Sequence, residues 1–255
     1  MELSSELSAV VTGGASGLGE AVVRMLAAEG VRVGLFDVDT GRGEAIASEL
    51  GGVFAQVDVS SAESVEAGFQ VTRATLGQER ILVNCAGIAP PAKTVSKGMP
   101  HDAALFERVI GINLVGSFLC ASRAAAGMVA AEPIGTDGER GVIVNTASVA
   151  AFEGQIGQVA YAASKGGVLG MTLPMARDLA RDGVRVVTIA PGIFATPMLM
   201  GMPQEVRDSL GAQVPFPSRL GNPSEYAALA RHIVENPLLN GETIRLDGAI
   251  RMGMR

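Results

Sequence analysis

The chain has 255 residues, enough for one large α/β domain, and 48% of them are hydrophobic although only 4% are aromatic, so an aliphatic core is expected. A formal net charge of −6 excludes the clustered basic surface that nonspecific nucleic-acid binding requires. Two Cys and two His without metal-ligand spacing point away from a metal centre and toward reduced thiols.

Met1–Ser8 carries two acids and no base, unlike a secretory signal, and no run of 18 apolar residues follows. A cytoplasmic protein without membrane attachment is the expectation. Ser8–Thr12 is the first of seven short apolar runs; the others are Arg32–Asp37, Gly52–Val57, Ile81–Cys85, Gly141–Thr146, Val184–Ala190 and Thr243–Leu246. Several are apolar on both faces, as strands of a parallel sheet covered on both sides are. Between the first two, Leu18, Ala21, Val22, Met25 and Leu26 recur at helical spacing over Gly17–Glu29, and Gly30 suits a C-terminal cap. The rhythm predicts a single-domain, Rossmann-like, doubly wound parallel sheet of about seven strands with helices on both faces. Residues 1–255 are read as one dinucleotide-binding and catalytic domain. Two Pro-punctuated segments interrupt it, an inserted loop at Ala89–Pro100 and a substrate loop at Thr196–Ser218.

The first strand runs into Thr12-Gly13-Gly14-Ala15-Ser16-Gly17-Leu18-Gly19. Gly13 permits a tight turn, Gly17 lets the backbone approach a pyrophosphate, and Gly19 lets the helix pack close to the strand. The free N–H groups and positive end of the helix then face the phosphates. Asp37 closes the second strand, where a carboxylate accepts hydrogen bonds from both ribose hydroxyls of an adenosine and repels a 2′-phosphate, so NAD is expected over NADP. Arg42, beyond the strand end, is read as part of a solvated helix face.

Further along, Tyr161 and Lys165 stand four residues apart on one helix face, and Ser148 follows the strand Gly141–Thr146 at the ligand-binding edge of the sheet. This set suits removal of a proton from a secondary alcohol as its carbon loses a hydride. A phenol with a pKa of about 10 is a poor base at neutral pH. A neighbouring ammonium and the positive nicotinamide are each expected to lower it by about 1–3 units. Ser148 would orient the substrate oxygen. Asn113 would hold water and a backbone carbonyl in a proton relay from Lys165. Each residue alone is commonplace; their combination with the Gly-rich turn carries the reading.

Together these residues resemble the short-chain dehydrogenase/reductase family over essentially the whole chain. The markers run in order: Gly13/Gly17/Gly19, Asp58-Val59, Asn84-Cys85-Ala86-Gly87, Asn113, Ser148, Tyr161, Lys165 and Pro191-Gly192. Cys85 departs from the pattern, since many members carry a second Asn there. Asn145–Gln155, Gln213–Gly221 and Ile244–Met252 further resemble the branch of type 2 3-hydroxyacyl-CoA dehydrogenases, which also act on 3-hydroxy-2-methylacyl-CoA and hydroxysteroids. The resemblance implies cofactor contacts at Ser16, Leu18, Asp37, Asp58, Val59, Cys85, Ala86, Gly87, Tyr161, Lys165, Phe194 and Thr196, the last to the nicotinamide carboxamide. It implies an acyl-CoA substrate of fatty-acid or branched-chain amino-acid breakdown, and a homotetramer. A dehydrogenase for a steroid or other alcohol, and a nonenzymatic NAD-binding scaffold, stay open as alternatives.

Overall fold

The structure, a computed structural model, describes residues 1–254, and at Met198 the backbone only. Arg255, the last residue of the expected domain, lies outside the described residues. Seven parallel strands form the central sheet: β1 (Ser8–Thr12), β2 (Arg32–Asp37), β3 (Val53–Gln56), β4 (Ile81–Asn84), β7 (Gly141–Thr146), β8 (Val184–Pro191) and β9 (Thr243–Leu246). Their order is β3-β2-β1-β4-β7-β8-β9. The chain therefore winds outward from β1 in one direction, then returns to β4 and winds in the other. That reversal opens a crevice at the carboxyl ends of β1 and β4, where ligands of such sheets bind.

Each crossover is helical. α1 (Gly17–Ala28) and α9 (Pro223–Glu235) cover one face, where Val22, Leu26, Tyr226 and Ile233 are buried against Val11 and Ile81. On the other face α3 (Ala62–Leu76), α5 (Gly116–Ala130) and α6 (Val159–Leu179) bury Phe69, Cys120, Ala121, Ala124 and Met128 against Phe36, Leu82 and Ile143. The run of small side chains on α5 brings that helix close to the sheet. Burying each of the larger aliphatic side chains contributes about 1.5–3 kcal/mol, so the aliphatic core suffices without Trp.

Helix ends agree with their sequence signals. Gly30 takes φ +82° after α1, and Val31 N–H bonds the Leu26 carbonyl at 3.0 Å. The expected strand at Gly52–Val57 shortens to β3 because Gly52 N–H closes α2 (Thr40–Leu50) by bonding the Ala47 carbonyl at 2.8 Å.

The two interruptions have more structure than the sequence suggests. In 89–100, β5 (Val95–Ser96) pairs antiparallel with β6 (Met99–Pro100). Lys97 and Gly98 close this hairpin with φ +51° and +79°. Two successive left-handed residues match the twist of a two-residue hairpin, but Lys in the first place hides the signal. Within 196–218 lie α7 (Pro197–Met200) and α8 (Gln204–Ala212).

α4 (Ala103–Ile110), a π-helical turn (Gly111–Val115) and α5 form one continuous helical run, Ala103–Ala130. By length and composition this run is apolar enough to cross a membrane, although it contains no unbroken stretch of 18 apolar residues. In the fold it packs on β4 and β7 and exposes Val115 and Phe118.

Candidate active site

The cofactor end is built from backbone. Gly13 has φ +65°, and a Cβ there would lie 2.9 Å from Ala86 N. A Cβ at Gly19 would stand 2.1 Å from the Gly13 carbonyl oxygen, so any side chain would force α1 away from the turn. Gly17, at φ +55°, faces Thr196 Cγ2 across 3.4 Å from its would-be Cβ. The Gly-rich turn and the start of the 196–218 segment thus meet. Ser16 precedes α1 in an extended conformation, and its side chain makes no capping hydrogen bond. The first-turn N–H groups of α1 keep their affinity for an anion, and the cradle fits the pyrophosphate of a dinucleotide. Leu18 is half-buried against the α1 side of the core.

Asp37 lies at the end of β2. One carboxylate oxygen accepts from Ala15 N–H at 3.0 Å and the other from Asp39 N–H at 3.1 Å. The carboxylate is held in place, with lone pairs left over for two hydroxyls. Arg42 lies on the exposed side of α2, as expected, but its guanidinium is paired. Its Nε donates to the Ala15 carbonyl at 2.9 Å and its guanidinium pairs with Glu20 at 2.9 Å. The arginine stem is long enough to carry its charge from α2 back to the turn.

Asp58 accepts from both the N–H and the hydroxyl of Ser60, at 2.9 and 2.6 Å, and these bonds hold its carboxyl below the usual range. Val59 and Phe194 place their side chains inward. Gly116 abuts Val59, Gly221 abuts the Phe194 ring, and both side chains are buried. What each can offer a cofactor is main chain. The same holds at Cys85, whose thiol faces Thr146 and Tyr226. Ala86 and Gly87 complete that turn.

At the chemical end, Lys165 is only 4% exposed and donates to the Thr146 carbonyl at 2.7 Å. Its Nζ sits 5.8 Å from the Tyr161 ring centre. Burial lowers its pKa to about 8. A Cβ at Gly87 would crowd Asn113 Oδ1 at 3.2 Å and would meet Lys165 Nζ at an ordinary 3.6 Å. In the protein alone, before any nicotinamide charge is added, burial dominates at Tyr161. Burial pushes its phenol above the ordinary value, and a hydrogen bond from Ser148 draws it partly back. Loss of water around a nascent phenolate outweighs the helpers within the protein. Ser148 Oγ also accepts from Ala150 N–H at 3.1 Å, capping the short helical turn Val149–Ala151.

Asn113 is fully buried in the π-helical turn, a local widening common at functional sites. Its side-chain oxygen accepts from Ile88 N–H at 2.8 Å, while its amide donates to the Ile88 carbonyl at 2.9 Å and to Ser164 Oγ at 3.1 Å. Both amide N–H donors are engaged, and the side chain makes no hydrogen bond to Lys165. It fixes the chain after Gly87 beside that lysine.

Sequence reasoning missed the polar groups beneath this site. Thr12 Oγ1 accepts from Cys85 N–H at 3.2 Å and Ala86 N–H at 3.1 Å, which shapes the cofactor-side turn. Thr146 Oγ1 donates to the Asn84 carbonyl at 2.5 Å and lies 2.7 Å from the Tyr226 hydroxyl. A carbonyl only accepts, so Tyr226 must donate to Thr146. The only cue was a Tyr amid the small and aliphatic residues of α9. A small cavity of about 110 Å³ lies between Phe194, Val214, Pro217 and Leu246, with Arg219, Glu225 and Asp247 also at its wall. Neither Ser148, Tyr161 nor Lys165 lines it.

A Gly-rich turn at the switch point of a doubly wound sheet, with Ser, Tyr and Lys gathered across the crevice, defines a nicotinamide-dependent oxidoreductase acting on a small molecule. The chain belongs to the short-chain dehydrogenase family, whose profile matches residues 8–207. It is 54% identical over 250 residues to the 3-hydroxyacyl-CoA dehydrogenase type-2 of Rattus norvegicus, covering 96% of this chain and 95% of that one. The protein of the same name from Drosophila melanogaster is 54% identical over 247 residues, with 95% and 96% covered. The crystal structure of 3-hydroxyacyl-CoA dehydrogenase type-2 from Mycobacterium avium superposes with a TM-score of 0.94 at 43% identity, over 98% of each chain.

Proposed function

We propose that this enzyme oxidises L-3-hydroxyacyl-CoA to 3-oxoacyl-CoA with NAD, reversibly, in fatty-acid or branched-chain amino-acid degradation. The observation that carries the reading is Lys165 buried at the Thr146 carbonyl, with its ammonium beside the Tyr161 ring, in a chain alike along its whole length to dehydrogenases of that name. The bound nicotinamide would supply the hydride acceptor for the carbinol carbon. Ser148 would hold the substrate oxygen. Tyr161 would take the hydroxyl proton, and Lys165 would stabilise the phenolate. Asn113 would keep the relay carbonyl of Ile88 in place. Gly13, Ser16, Gly17, Leu18 and Gly19 would cradle the pyrophosphate, Asp37 the ribose, Asp58 and Val59 the adenine. Cys85, Ala86, Gly87, Phe194 and Thr196 would line the nicotinamide end.

Asp37 supports NAD over NADP. NAD is expected to be favoured at least tenfold in kcat/KM, which needs only about 1.4 kcal/mol. Asp37→Ala should weaken NAD binding and relax the preference. Steady-state rates with both cofactors check this, and equal wild-type rates with NADP would sink the assignment.

The hairpin 95–100 supports the acyl-CoA part. Its base is tied to the segment before Tyr161, through Ala92 N–H to the Gly157 carbonyl at 2.8 Å. Lys93 and Lys97 are exposed there, and coenzyme A carries phosphates that must lie outside the reaction centre. Replacing both with Ala should raise KM for acyl-CoA substrates, less so at high salt, because exposed charges are screened within about 8–10 Å. KM for a small uncharged alcohol should not move. An unchanged acyl-CoA KM at low salt would return both lysines to ordinary surface duty.

We also infer a homotetramer. The exposed Val115 and Phe118 on the long helical run, Leu173 on α6, and the open Gly166 and Gly170 suit contact with a second copy. The free thiols of Cys85 and Cys120 suit the cytoplasm.

A further inference from the structure

Asp37 alone does not account for the charges around the adenosine end. Asp37, Asp39 and Arg42 form a short chain of contacts. Asp37 accepts from Asp39 N–H, and the Asp39 side chain accepts from Arg42 N–H at 3.1 Å. Arg42 then reaches over α2 to the Ala15 carbonyl, on the same residue whose N–H Asp37 holds. The Asp37 carboxylate and the Arg42 guanidinium thus bond the N–H and the carbonyl of the same residue, Ala15. Arginine pairs readily with phosphate, through two parallel hydrogen bonds, and an arginine near this point is how dinucleotide folds accommodate a 2′-phosphate.

Arg42 is nevertheless engaged elsewhere. Glu20, in the first turn of α1, accepts from its Nη2 at 2.9 Å. Glu20 is the more buried partner, its side chain 22% exposed against 53% for Arg42. It is held from behind by Arg24 at 3.0 Å, and Arg24 is itself clasped by Glu49 at 2.7 Å. Glu20 is thus the more anchored partner, and Arg42 is the more exposed one.

We propose that Glu20 is a second determinant of cofactor choice, holding Arg42 on the Ala15 carbonyl so that it does not serve a 2′-phosphate. This rests on the NAD reading above. Two layers then disfavour NADP. Asp37 repels the phosphate, and Glu20 withholds the cation that would welcome it. Removing Asp37 alone leaves the second layer in place.

The test is the dissociation constant of NAD and of NADP, measured by calorimetry at low salt. It compares the wild type, Asp37→Ser, Asp37→Ser/Glu20→Gln, Asp37→Ser/Arg42→Ala and the triple variant. Asp37→Ser/Glu20→Gln should bind NADP at least tenfold tighter than Asp37→Ser. The triple variant should bind it no tighter than Asp37→Ser/Arg42→Ala, because the gain runs through Arg42. An unchanged NADP constant on adding Glu20→Gln would overturn the proposal. So would a gain that survives without Arg42, which would reduce Glu20 to simple repulsion. A circular dichroism spectrum and melting temperature matching the wild type certify the fold of each variant. Equal wild-type affinity for the two cofactors is a separate result, and it would remove the NAD reading along with this one.

Discussion

Tyr161→Phe should lower kcat by about 10²–10⁴, the usual worth of a positioned acid–base group, with NAD binding and folding nearly unchanged. The ring stays and only the hydroxyl goes, so packing of the half-buried side chain beside Lys165 is preserved. The proton of the substrate hydroxyl then has no acceptor next to Ser148. Single-turnover rates, with NAD affinity measured in parallel, separate this from a binding defect. Near-normal turnover in a folded Tyr161→Phe variant would mean that another group is the base.

Lys165→Ala should also cost most of the turnover, and it should change the pH dependence of what remains. In the wild type, burial raises the phenol and lowers the ammonium to about 8. Alcohol oxidation should therefore climb with pH as the phenol gives up its proton, while the help it gets from the Lys165 charge fades above about 8. Without the ammonium the phenolate loses its neighbouring positive charge, so the rising limb moves to higher pH by about one unit or more. A second consequence concerns stability. The Lys165 pKa is lower folded than unfolded, so the unfolded chain binds more protons between about pH 8 and the ordinary lysine value of 10.5. This group's contribution to stability therefore rises with pH across that window, and its full penalty stands below it. A Lys165→Ala variant whose residual rate keeps the wild-type pH profile would contradict the assigned role.

The elements that position the site were legible because each carries a local signal. Short apolar runs located the strands, a period-3.6 pattern located α1, and glycines with steric duties marked the cofactor turn. The Tyr161–Lys165 spacing put both side chains on one helix face, which α6 reproduces. What escaped was long-range. Nothing local to Arg42 says that Glu20, 22 residues earlier, will hold it. Tyr226 reaches Thr146 across 80 residues. The burial that raises the phenol of Tyr161 comes from distant segments, and no local motif reports it. The Lys97-Gly98 hairpin was masked because lysine rarely adopts positive φ.

The central claim is tested most directly by initial rates of NADH formation. A short L-3-hydroxyacyl-CoA, its D-enantiomer, a hydroxysteroid and a simple secondary alcohol would be compared, with Tyr161→Phe as control. The account predicts kcat/KM of about 10⁴ M⁻¹s⁻¹ or more for the L-3-hydroxyacyl-CoA, within the normal range for an enzyme on its own substrate. It also predicts at least a tenfold margin over the other three and loss of the signal in the control. Faster oxidation of the steroid or simple alcohol than of the acyl-CoA would contradict the substrate assignment, and NAD binding without turnover of any of them would contradict the enzyme.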